Sequence, residues 1–125
     1  MAILKEDYDP SGEFFSKSKG KITMIWYECI ACFFAGAFLA NAVPHFVQGT
    51  SGDRFPTPFA HPPGRGLSSP TLNVVWALLN ALAGSFLFRM GKVSSGRGLA
   101  LVIFFAGIAA MSVMLSVGFQ KKQAR

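Results

Sequence analysis

Charge is what this sequence has least of. Only 14% of its 125 residues are Asp, Glu, Lys or Arg, against about 25% in a typical soluble domain. Four of the six acids, Glu6, Asp7, Asp9 and Glu13, sit near the N-terminus, which leaves only Glu28 and Asp53 beyond it. So few charges exclude a disordered solvating chain and argue against a water-soluble enzyme. Two cysteines exclude a disulfide scaffold. A second C-x-x-C, needed for a four-thiolate zinc site, is missing. So are a Walker loop, a zinc-protease motif and a nucleophile elbow. Gly64-Arg65-Gly66 and Gly96-Arg97-Gly98 read as loop glycines, not phosphate cradles. The sequence therefore assigns no catalytic residue, no metal and no cofactor, and the chain is too short for two globular domains.

What is present is apolar. Hydrophobic residues make up 51% of the chain and mean hydropathy is +0.40. Cys29–Gly52, Gly66–Phe88 and Gly98–Gln120 contain no Asp, Glu, Lys or Arg. Each can hold a membrane span of about 20 residues. In hydrocarbon the backbone must satisfy its own hydrogen bonds, so these runs are expected to be helices. The expected fold is an all-α membrane protein with three transmembrane helices, at about 22–43, 71–89 and 98–119. A polar arm (1–21) precedes them and a basic tail (120–125) follows. Ser69-Pro70 reads as an N-cap with Pro at the first helical position, and Ser94 or Ser95 as the cap of the third helix. Gly91 and Gly96 suit a short turn that makes helices two and three an antiparallel hairpin.

The net charge of +6 does not point to nucleic acid. The basic residues flank apolar runs and form no basic helix face, as the positive-inside rule anticipates. The lipid bilayer is the expected partner. With the N-terminus inside, the inner side collects seven basic residues (Lys5, Lys17, Lys19, Lys21, Arg89, Lys92, Arg97) and the outer side five (Arg54, Arg65, Lys121, Lys122, Arg125). The balance favours a cytoplasmic N-terminus by two charges, and the basic tail opposes it. Lys17, Lys19 and Lys21 before an apolar run, with Ala40-Asn41-Ala42 after it, resemble a signal peptide. The apolar run of the first span exceeds the ~7–15 residues of a signal core and carries Glu28, so a retained helix is expected.

Between the first two spans lies a Pro/Gly-rich loop, 44–70, with six of the seven prolines and both histidines. Loops beyond about 12–15 residues are uncommon unless functional or disordered. Phe46, Phe55, Phe59 and Leu67 interrupt this one, so it is expected to form an ordered cap. Pro44-His45-Phe46, Phe55-Pro56-Thr57-Pro58-Phe59-Ala60, Pro62-Pro63-Gly64, Gly66, Ser68-Ser69-Pro70, Asn73 and Trp76 resemble a family of small bacterial integral membrane proteins. The resemblance covers roughly a third of the chain. It implies a bacterial inner-membrane location and no particular chemistry.

The candidate functional residues are Glu28, Asn80, His45, Cys29, Cys32 and Arg89. Glu28 is the one charge inside a span, where ionisable groups usually face the bundle interior. Arg89, Lys92 or Arg97 could pair with it. The sharper alternative is a proton- or ion-handling carboxylate. Cys29 and Cys32 share a helix face, but an apolar setting beside an acid disfavours the thiolate a redox motif needs. His45, at the expected helix end, reads as a donor to exposed carbonyls. A metal shared with His61 and Asp53 lacks a spacing signature. Small residues recur at four-residue spacing: Cys32, Gly36 and Ala40; Ala77, Ala81 and Ser85, with Asn80 and Gly84 beside them; and Ala106 and Ala110. Such strips let helices approach closely, with Asn80 hydrogen-bonding across the interface, or mediate contact with a protein partner or a second copy. The leading expectation is a non-catalytic accessory or interaction subunit. An oligomeric transporter or channel using Glu28 comes second, and a thiol-redox protein third.

Overall fold

The structure, a computed structural model, describes residues 24–123; the arm expected at 1–21 lies outside them. Three helices are long and apolar enough to cross a membrane: α1 (Trp26–Thr50), α2 (Pro70–Met90) and α3 (Gly98–Gln123). Between α1 and α2 a two-residue antiparallel ladder joins β1 (Phe55–Pro56) to β2 (Leu67–Ser68), with Phe55 opposite Ser68. A single 3₁₀ turn, Val93–Ser95, lies between α2 and α3.

α1 departs from expectation at both ends. It starts at Trp26, after an extended Ile25, and does not stop at Val43. It runs through Pro44 to Thr50, so residues 44–50 belong to the helix and not to the loop. Pro44 lacks the N–H that would bond the Ala40 carbonyl. Unwinding there would expose several more carbonyls in an apolar medium. The extra turns also place His45 and Gly49, four residues apart, on α2. A Cβ added to Gly49 would lie 2.7 Å from the Pro70 carbonyl oxygen. The helix ends where Ser51 N–H bonds Val47 O and Gly52 adopts φ +79°, a left-handed conformation suited to glycine. At 1.5 Å per residue, the 25 residues of α1 span about 37 Å, longer than the ~30 Å hydrocarbon core. α3 likewise continues to Gln123, into the segment expected to be a tail.

α1 is the central element. It packs against both α2 and α3, whereas α2 and α3 barely touch one another. They meet near the connector, where the Phe88 and Phe104 rings lie edge to face at 5.3 Å. The expected hairpin of α2 and α3 is thus antiparallel but wedged apart by α1. The reason is where the small residues point. On α2 the buried positions are Asn73, Ala77, Asn80 and Gly84, spaced four, three and four, a seam facing one partner. A methyl on Gly84 would lie 2.7 Å from Leu39 Cγ of α1. On α3 the buried positions are Ala100 and Gly107, and Gly107 abuts the Phe33 carbonyl of α1 while Gly36 abuts that of Phe104. Ala106 and Ala110, the strip expected on α3, are exposed instead. Glycines are used here because without a hydrophobic drive between helices in lipid, close backbone packing supplies the attraction.

The start of α2 is as expected: Ser69 caps it, its Oγ accepting from Leu72 N–H at 3.2 Å, with Pro70 first in the helix. Ser69→Ala should cost about 1 kcal/mol, read as a lower unfolding midpoint in mixed micelles with helix content otherwise unchanged. The start of α3 is not as expected. Ser95 lies in the 3₁₀ turn, where its hydroxyl donates to Lys92 O and accepts from Arg97 Nε, so neither Ser94 nor Ser95 caps α3.

Candidate functional site

Polar side chains inside the spans gather at two levels, with one further pair between them. At the connector end, Glu28 sits in the first turn of α1 and is 3% exposed. One carboxylate oxygen lies 3.0 Å from Arg97 Nη1 and the other 3.4 Å from Lys92 Nζ. Both cations come from the connector, and Arg89, the partner first suggested by sequence, is exposed and outside the cluster. The cause is helical phase. The α2 seam reaches Gly91, which a Cβ would bring 2.7 Å from Cys32 Sγ. Two residues earlier, Arg89 is turned about 200° away. Lys92 holds a left-handed backbone at φ +53°, unfavourable for a residue with a Cβ. Its carbonyl accepts from Ser95 N–H and Oγ, which fixes the turn that aims Lys92 and Arg97 at Glu28. The N-terminus of α1 also favours a carboxylate in its first turn.

Cys32 is fully buried beside this cluster. Its thiol donates to Gly91 O at 3.1 Å and packs with Val93 and Ala100, flanked by Phe88 and Phe104. Cys29 is half-buried, and both cysteines are free. Cys32 thus works at the α1–connector contact, a small side chain that lets Gly91 pass close by.

At the loop end, His45 is not a helix-end donor to free carbonyls, because the helix does not end there. It is buried, and its Nδ1 lies 2.9 Å from Asn73 Oδ1 of α2. Asn73 is wholly buried, and its Nδ2 donates to the carbonyls of Phe55, Ser68 and Ser69. One carboxamide therefore ties α1, both strands of the loop and the start of α2. In the sequence Asn73 belongs to the loop motif and lies near the start of the second span; its place one turn after a Ser-Pro cap is the signal for this role. The Thr57 and Ser68 hydroxyls bond each other across the ladder. Phe55 is buried against His45, 5.3 Å away, and Phe119 of α3, 4.5 Å away. Within the loop Phe55 is turned inward, whereas Phe59 and Leu67 are exposed.

Between the two levels, Asn41 Nδ2 donates to Asn80 Oδ1 at 2.9 Å, and Asn80 Nδ2 donates to Trp76 O. Asn80 does cross the α1–α2 interface. His61 and Asp53 are exposed, and among the described residues no three His, Cys, Asp or Glu side chains come together as a metal site. Comparison with protein-family models, characterised proteins and solved structures finds no match.

Proposed function

We propose that the protein is a small non-catalytic integral membrane protein that serves as an accessory or interaction subunit. The open row of helices carries this reading. Among the described residues α2 and α3 are both held on α1 and barely meet, an arrangement that does not by itself surround a channel. Large apolar residues such as Leu82 and Phe86 of α2, and Val102 and Val113 of α3, face outward, available to lipid or to a partner's helices. Several of the spans' polar groups are engaged internally: Glu28 with Arg97 and Lys92, Asn80 with Asn41, Asn73 with the loop. A transporter would want that carboxylate free. The loop's resemblance to small bacterial membrane proteins supports an inner-membrane location. The charge balance supports a cytoplasmic N-terminus, which would put Glu28 and the connector at the inner face.

The test is native mass after extraction in mild detergent, with photo-crosslinking residues at Leu82 and Val113. Co-purification with one larger membrane protein in fixed stoichiometry, crosslinked from one of these faces, is the expected result. A stable homo-oligomer that conducts ions in liposomes, and loses conduction on Glu28→Gln, would replace this reading with the transport one.

A further inference from the structure

One line of polar side chains takes no part in the links described above. Between Gly98 and Gln120, α3 carries only three side chains able to form ordinary hydrogen bonds, Ser112, Ser116 and Gln120. At 100° per residue they fall within an arc of about 80°, on one face of the half of α3 nearest the loop. All three are exposed, and among the described residues none of them makes a side-chain hydrogen bond. Thr50 shows the usual local remedy, its hydroxyl bonding the Phe46 and Val47 carbonyls of its own helix; the two serines do not use it. Ser112 and Ser116 instead open onto a groove of about 400 Å³ between α3 and the Ala40, Val43 and Pro44 stretch of α1.

In hydrocarbon a free hydroxyl or carboxamide is costly, and α3 is the least covered of the three spans. Whatever closes this face must therefore both pack and hydrogen-bond. A hydroxyl and a carboxamide each donate and accept, so each can pair with its own kind. Copies inserted the same way in a bilayer bring equal depths together across a two-fold axis along the membrane normal. That sets Ser112 against Ser112, Ser116 against Ser116 and Gln120 against Gln120. The line itself carries no charge. Helix positions 121 and 122, both Lys in the sequence, fall about 100° and 160° from its middle, so two copies meeting there do not bring basic positions face to face. Ala109, exposed one turn deeper on the same side, is small enough for the close approach that such hydrogen bonds need.

We propose that α3 pairs with α3 of a second copy along Ser112, Ser116 and Gln120, the two chains parallel in the membrane. The hydrogen bonds of this face are incomplete in one chain and closed in two. The pairing does not require the accessory-subunit reading, and a pair still presents the Leu82 and Phe86 face of α2 to lipid or to a partner.

The full chain is reconstituted in phosphatidylcholine vesicles at falling protein-to-lipid ratios and oxidised. Its native Cys29 and Cys32 are free and lie on α1 at the connector end, so the unaltered chain gives the background. Ser112→Cys and Ser116→Cys should each yield a disulfide-linked dimer at least about fivefold above that background and above Met114→Cys, an exposed position roughly 160° around the helix from Ser116. The yield should persist as lipid dilutes the protein. Energy transfer between labelled copies should show association at least about tenfold weaker in the Ser112→Ala, Ser116→Ala, Gln120→Leu triple variant, whose changes touch only exposed positions. Equal crosslinking from Met114→Cys, loss of the dimer on dilution, or unweakened association of the triple variant would each overturn the proposal. So would crosslinking of Ser116→Cys in native membrane to a different protein in place of a second copy, which would assign this face to that partner.

Discussion

Gly107→Val should detach α3 from α1. The added carbons would occupy the space of the Phe33 carbonyl oxygen, with Ala37 N also close. Neither is a flexible side chain that can swing away, so the whole helix must move. A loss of about 3 kcal/mol, at the upper end of ordinary overpacking costs, is expected as a lower unfolding midpoint in mixed micelles. Gly36→Val should do the same from the other side, because Gly36 abuts the Phe104 carbonyl in the reciprocal contact. Combining the two should cost less than their sum, since the first has already opened the interface. Two controls on α3 separate close packing from a general effect of valine. An added Cβ at Gly118 meets nothing within 4 Å, and Ala106 is exposed; Gly118→Val and Ala106→Val should both lie near wild type. If all four variants behave alike, the contact is not what holds α3.

The spans were legible because absence of charge over about 20 residues has few other meanings. Ser69-Pro70 was legible because capping is local chemistry. What the sequence concealed depends on rotation about helix axes and on tertiary contact. Ala106 and Ala110 share the four-residue spacing of a packing strip, yet Gly107, one position away, is the residue that touches α1. Composition alone does not reveal which side of an apolar helix looks inward when every side is apolar. Pro44 reads locally as a stop, and the helix passes it because His45 and Gly49 gain partners on α2. Glu28 is recognisable as the one charge within a span, and its partners Lys92 and Arg97 are among three candidates that sequence order does not separate. Arg89, Lys92 and Arg97 are all near in sequence order to the same membrane boundary, and only the turn geometry at Lys92 and Ser95 decides among them.

That decision gives the second large effect. In Arg97→Ala, Glu28 stays buried while its 3.0 Å partner is gone. The remaining cation, Lys92, is 3.4 Å away on a side chain 64% exposed, so water and salt weaken its help. Removing one member of a buried pair is far more damaging than the pair's net worth, because the surviving charge is left without compensation. The Arg97→Ala loss should therefore rival that of Gly107→Val. Lys92→Ala should be much milder, because an exposed cation contributes little and alanine leaves the left-handed backbone problem unchanged. Neutralising the carboxylate reverses the argument. Glu28→Gln in the Arg97→Ala background removes the orphaned charge and should recover about half or more of the lost stability, although each change alone is destabilising. Arg97→Lys should fall between, since it keeps the charge but gives up the fork that engages Ser95 Oγ and Glu28 together. Arg89→Ala should have no measurable effect on unfolding. Additive losses in the Glu28→Gln, Arg97→Ala double variant would mean that the two side chains are not coupled, and the connector would then owe its geometry to Cys32, Gly91 and Val93 alone.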